Sequence, residues 1–241
     1  QLPAACRAVA WLDCDVIFLD DNWPQQALDQ LQKSPLLQPF GPMYDLPRDA
    51  DLPGENDMAL RPRQLPDRPT AISLACGLLP GAVCENLSHL PNARSTGGRT
   101  SGLAWAASRE LLARHGLYDA RILGGGDRTM AAAVCGRYEI PRDSYRMNLP
   151  QFDHYRSWAE PFHASVQGQV GCLDGTLLHL WHGELEDRRR PETRFGGFAQ
   201  FEFDPGTDIT TDEKGLWKWN SEKPRMHQFV RNYFAVRKED G

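Results

Sequence analysis

Two apolar runs, far apart in the chain, each end in groups that do not tolerate burial alone. Val9-Ala10-Trp11-Leu12 runs into Asp13-Cys14-Asp15 and resumes as Val16-Ile17-Phe18. Leu177-Leu178 meets His179, and Leu180-Trp181 meets His182-Gly183. Runs of this length read as buried strands. A carboxylate or an imidazole at the end of a buried strand needs a partner, because desolvating it without one is costly. The two runs therefore predict one fold constraint: their ends meet at a common edge of a sheet, where a divalent cation satisfies both.

Side chains at i and i+2 of a strand point the same way. The spacing thus predicts that Asp13 and Asp15 converge on one cation, with His179 and His182 completing the ligand set. The pattern is not specific by itself, since Asp49-Ala50-Asp51 repeats it inside a polar loop. What separates the two is the apolar strand that leads into Asp13. His179 and His182 are three apart and share a face only if the chain turns between them. Oxygen ligands suit Mg²⁺ or Mn²⁺, and the added imidazoles favour Mn²⁺.

The rest of the chain alternates strand and helix signals, which predicts an α/β domain with a mixed sheet flanked by helices. Trp23–Lys33 has helical spacing, with Pro24 in the first turn. Leu36–Phe40, Thr70–Leu79 and Gly102–Ala107 read as strands, and Gly41–Pro69 and Asn92–Ser101 as loops. Ser108 stands at an N-cap position, and Gly116 ends the helix it starts. Arg128–Cys135 and Met226–Arg237 read as helices, Tyr138-Glu139-Ile140 as a strand, and Val166–Trp181 as one or two strands. Residues 1–241 are expected to form a single domain. The chain begins with Gln1 and enters a core strand almost at once. That predicts an N-terminally truncated domain, the C-terminal portion of a larger one.

A net charge of −5 argues against a nucleic-acid partner. No apolar run is long enough for a transmembrane segment. Cys6, Cys14, Cys76, Cys84, Cys135 and Cys172 form no C-x-x-C pair. Their spacing favours free thiols in a reducing, cytoplasmic setting over a disulfide framework. Lysines are confined to Lys33, Lys214, Lys218, Lys223 and Lys238, so the chain's cations are mostly arginines.

Gly124-Gly125-Gly126-Asp127 lacks the signature of a phosphate cradle. An acid at a helix start also repels phosphate. Asp127 reads either as the cap of the helix that follows or as a general base aimed at a hydroxyl, with Gly125 and Gly126 letting a substrate approach the backbone. Arg188-Arg189-Arg190 could meet a diphosphate. Trp105 and Trp181 could stack on sugar rings or belong to the core.

These residues resemble a known family. Trp11–Asp15 looks like the D-x-D strand end of GT-A glycosyltransferases. Gly102–Asp127, with Gly116-Leu117-Tyr118-Asp119 inside it, is similar to the acceptor- and donor-sugar segment of the family-2 and β-1,4-galactosyltransferase-like enzymes. His179–Gly183 resembles their later metal-binding strand. Asp204–Asp208 and Tyr233–Arg237 are similar to the tails of bacterial members. The resemblance implies a GT-A-like fold and an inverting, hexosyltransferase-like transfer from a nucleotide-sugar, UDP-sugar first, to a glycan or other hydroxyl acceptor. It implies Asp15 and His182 as metal ligands, with His179 a possible third. It implies Asp13 on the metal or the donor ribose, and Asp127 as the base. Gly102, Trp105, Gly125, Gly126 and Arg188 are then substrate-binding candidates. In that family the first nucleotide-binding βα units precede the D-x-D strand, whereas twelve residues precede Asp13 here. The alternative is a truncated or degenerate GT-A domain that binds sugar or a partner without catalysis. A metal-dependent hydrolase is a third reading.

Overall fold

The computed structural model describes residues 3–50, 65–76, 99–183 and 191–236, without the side chains of 191–194. Eleven strands are β1 (Ala8–Leu12), β2 (Val16–Phe18), β3 (Leu36–Gln38), β4 (Pro42–Asp45), β5 (Ala71–Ser73), β6 (Arg99–Thr100), β7 (Ala104–Ser108), β8 (Val170–Cys172), β9 (Leu177–His179), β10 (Ile209–Thr211) and β11 (Trp217–Trp219) among the described residues. The helices among them are α1 (Trp23–Gln30), α2 (Arg109–His115), α3 (Gly126–Val134), α4 (Glu139–Ser144), α5 (Leu149–Val166), α6 (Pro191–Ala199), α7 (Pro205–Asp208) and α8 (Pro224–Ala235).

Two mixed sheets carry the architecture, with orders β1-β7-β3-β8 and β2-β9-β4-β5-β6, and β10 pairs with β11 as a separate hairpin. Each strand of the first sheet connects within a few residues to a strand of the second: β1 to β2, β3 to β4, β6 to β7 and β8 to β9. The neighbours change at each crossing. β1 pairs with β7, whereas its continuation β2 pairs with β9. The segments 13–15, 39–41, 101–103 and 173–176 thus form a seam where backbone hydrogen bonds pass from one sheet to the other. Asp13 N–H donates to the Leu103 carbonyl at 2.8 Å, and Gly41 N–H to the Gly175 carbonyl at 2.8 Å.

Period-two alternation along β7 fixes what lies on each side of the first sheet. Trp105 and Ala107 face the main core, which α2, α3, α5 and α8 cover. Ala106 faces α1 through Ala27. β7 pairs through its backbone with both β1 and β3. α5 is positioned by an Asn148–Gln151 capping box and buries Tyr155, Ala159 and Phe162. Burying a side chain the size of Phe162 contributes about 1.5–3 kcal/mol.

Ser108 caps α2 by accepting from Leu111 N–H, and Gly116 ends it at φ 65°, as the sequence predicts. Tyr138–Ile140 is a correction: Glu139–Ser144 is helical, not a strand. A three-residue apolar signal cannot distinguish the two, and packing against α3 decides it. The cysteine expectation also fails for one pair. Cys76 and Cys172 are disulfide-bonded, with Cα atoms 5.0 Å apart across 96 residues, a separation that suits a bridge. The pair joins the end of β5 to the end of β8, hence one sheet to the other. Cys6, Cys14 and Cys135 form no disulfide among the described residues. No helix among the described residues is long and apolar enough to cross a membrane.

Candidate functional site

The seam brings Asp15, His179 and His182 together, with one ligand atom from each lying within 4.8 Å of the others. Asp15 Oδ2 is 3.5 Å from His179 Nε2 and 3.3 Å from His182 Nε2. The antiparallel register of β2 with β9 places Val16 opposite His179, so Asp15 comes level with the start of the 180–182 turn. Leu180 N–H then donates to the Asp15 carbonyl at 2.8 Å. The chain leaves strand geometry after His179, and the two imidazoles come to lie together. Their ring centroids are 4.9 Å apart, edge to face.

Asp45 is the residue that sequence reasoning missed. It ends β4, opposite His179 in a parallel pairing. Its Oδ1 lies 2.6 Å from His179 Nδ1, so that in the tautomer with the proton on Nδ1 this carboxylate accepts from it and Nε2, on the Asp15 side, is the nitrogen available to a metal. A carboxylate behind a ligating imidazole fixes the tautomer and raises ligand basicity. The available signal was Pro42–Asp45 itself, a short run with an apolar residue that ends in an acid, hidden inside a stretch read as loop.

The donor set fits a divalent cation on a direct observation. Asp15 Oδ1 is buried with no hydrogen-bond partner among the described residues. Oδ2 of the same carboxylate faces the two imidazole nitrogens, so one oxygen meets candidate ligands while the other is buried without a partner, an arrangement that a cation held by the carboxylate would relieve.

Asp13 and Asp15 do not share a strand face. β1 ends at Leu12 and β2 starts at Val16, so the D-x-D stretch is a turn between two sheets. Asp13 lies outside the three-residue group, a correction to the expected four-ligand set. It stands beside the group instead. Partial desolvation and the neighbouring Asp15 push its carboxyl above the ordinary range, against His179 and a hydrogen bond from the Leu103 backbone. Leu103 holds a left-handed φ of 80°, a conformation costing about 1–3 kcal/mol in a non-glycine residue. Its amide and carbonyl both serve Asp13.

Asp127 lies against the 101–103 segment of the seam. A Cβ built on Gly102 would lie 3.6 Å from Asp127 Oδ2. Burial, and then the charge of Asp13, push its carboxyl up to about 7, opposed by a hydrogen bond from its own backbone. Asp127 is not the cap: Gly125 is, at φ 88°, and Asp127 is the second residue of α3. Gly125 is required for packing as well, since a Cβ there would fall 2.6 Å from the Tyr145 ring. Gly126 faces open space.

Trp105 is a further correction. It is 2% exposed within the main core and donates its indole N–H to the Ser101 carbonyl, so it offers no face to a sugar. Trp181 lies beside the site, with the Arg48 guanidinium 4.8 Å from its ring centre. Arg188 falls outside the described residues. Comparison with protein-family models, curated proteins and solved structures returned no match.

Proposed function

We propose that this chain carries the catalytic centre of a metal-dependent glycosyltransferase, moving a sugar from a UDP-sugar donor to an acceptor hydroxyl with inversion. One juxtaposition supports the reading. The Asp15–His179–His182 group adjoins Asp13, and Asp13 in turn adjoins Asp127, a partly buried acid that titrates near neutrality. Perturbed acids beside a metal-ligand cluster mark functional sites.

Asp15, His179 Nε2 and His182 would hold the cation, Mn²⁺ before Mg²⁺. Bound there, it would supply positive charge against the leaving diphosphate. Asp45 keeps His179 in the ligating tautomer. Asp127 accepts the acceptor's hydroxyl proton as that oxygen bonds the anomeric carbon and the bond from that carbon to the diphosphate breaks. Burial, and then Asp13, raise the proton affinity of Asp127 and bring its pKa close to the operating pH, where a general base works best. The open flank of Gly126 leaves room for the acceptor's approach.

Calorimetry of UDP binding to the full-length protein, with and without Mn²⁺, tests the reading alongside acceptor-dependent turnover of UDP-sugars. Mn²⁺-dependent binding that is lost in Asp15→Ala is expected. Equal affinity with and without the ion removes the metal's role. Binding without turnover leaves a non-catalytic module, and turnover without an acceptor leaves a hydrolase.

A further inference from the structure

A second site stands apart from the metal ligands. A pocket of about 360 Å³ lies between the β10–β11 hairpin, residues 119–122 and the end of α8, walled by Asp119, Arg121, Trp217, Lys218, Trp219 and Phe234. Trp217 is 41% and Phe234 53% exposed. Leaving such rings in water forgoes a large share of their burial free energy. The walls are nevertheless fixed. Trp219 stacks on His227 at 4.3 Å, and the Arg121 guanidinium lies over Tyr145 at 4.3 Å and Phe195 at 5.2 Å.

Aromatic faces beside a carboxylate, a guanidinium and an ammonium make a specific demand on an occupant. An aliphatic chain or an apolar helix would cover the rings but desolvate the Asp119 carboxylate and the Lys218 ammonium without pairing them. A polyanion would meet Asp119. A neutral pyranose satisfies both requirements: its C–H face covers an indole, while its hydroxyls donate to the carboxylate and accept from the cations.

The wall of the pocket is also linked to the neighbourhood of Asp127. Tyr145, under Arg121, donates its hydroxyl to the Gly125 carbonyl at 3.3 Å, and Gly125 caps the helix that bears Asp127. Arg121 and Asp127 are six positions apart, so their Cα atoms lie within about 20 Å of one another. That is within the span of a short oligosaccharide.

We propose that this pocket is a sugar-binding subsite that holds a neutral pyranose of the acceptor glycan, away from the reacting hydroxyl. Its role as an acceptor subsite rests on the glycosyltransferase reading; its sugar binding does not. The test titrates the full-length protein with neutral cello-, chito- and malto-oligosaccharides of two to five units, without nucleotide or metal. Calorimetry and tryptophan fluorescence provide the readouts. At least one series should bind, and Trp217→Ala and Asp119→Ala should each weaken it about tenfold or more. Asp15→Ala should leave it unchanged while abolishing Mn²⁺-dependent UDP binding. Thermal melts check that each variant folds, and Asp119→Ala decides if Trp217→Ala does not. No binding by any series, or binding indifferent to both pocket variants, overturns the proposal. Pocket-dependent binding in a protein that transfers no sugar keeps the sugar site and removes the glycosyltransferase reading. Transfer without oligosaccharide binding does the reverse.

Discussion

Asp208 and Asp127 are both acids withdrawn from water, and their surroundings treat them in opposite ways. Asp208 is 1% exposed. Its Oδ2 accepts from Asp204 N–H at 2.8 Å and from Lys223 Nζ at 2.8 Å. Burial alone would raise its pKa, but these hydrogen bonds and the ammonium outweigh it and hold the carboxyl low. It ties α7 to the start of α8. Asp127 has burial and a like charge against it, and its carboxyl rises to about 7. The difference separates two uses of a buried acid. One that is fully paired is fixed in its ionised form and serves the fold. One that is under-paired beside another acid can exchange a proton near neutral pH.

The largest expected effect tests the chemical half of that contrast. Asp127→Asn should lower turnover by about two to four orders of magnitude with donor binding nearly intact. Asp127 is not the helix cap, so the fold should survive. Normal turnover would reduce Asp127 to a bystander.

Lys223→Met tests the structural half. It strands the Asp208 carboxylate without its cation and should cost about 2–3 kcal/mol in urea unfolding at pH 7. The folded pKa of Asp208 lies below the unfolded value. Its stabilising share is therefore present above about pH 4 and is lost as pH falls. The deficit of the variant should shrink toward pH 3; a constant deficit would mean that the ion pair is not its source.

Asp45→Asn sharpens the comparison at the metal ligands. It should weaken Mn²⁺ binding about 10- to 100-fold, as loss of a carboxylate behind a ligating histidine does. Unchanged affinity by calorimetry would exclude His179 as a ligand held by Asp45.

The smallest effect is a difference in pH dependence. In the unfolded chain the Asp127 carboxyl ionises near 4, whereas in the metal-free folded protein it does so at about 7. The folded state keeps a proton that the unfolded state has lost, so stability falls as pH rises between these values. Asp127→Asn should remove that fall, gaining on the order of 1–2 kcal/mol over wild type at pH 8 relative to pH 4, after allowance for solvent screening. The same pH slope in wild type and variant would place the high pKa elsewhere.

Local features were legible in the sequence because local physics decides them. Ser108 and Gly116 bound α2 through hydrogen bonds and a left-handed turn that involve only near neighbours. The apolar runs into Asp15 and His179 marked strand ends, because burial periodicity is written residue by residue. The structure brings Asp15, His179 and His182 together at those ends. Tertiary structure alone decided which side chains face which partner. Asp13 left the ligand group because β1 and β2 belong to different sheets, and a turn does not preserve the two-residue alternation of a strand. Trp105 turned inward because β7 pairs on both edges and helices cover its face. Asp45 reached His179 through a parallel register between strands more than 130 positions apart. The pKa of Asp127 depends first on its burial and then on Asp13, which a seam between two sheets brings close. Long-range register and burial arise from packing the whole chain, and no local window of sequence contains them.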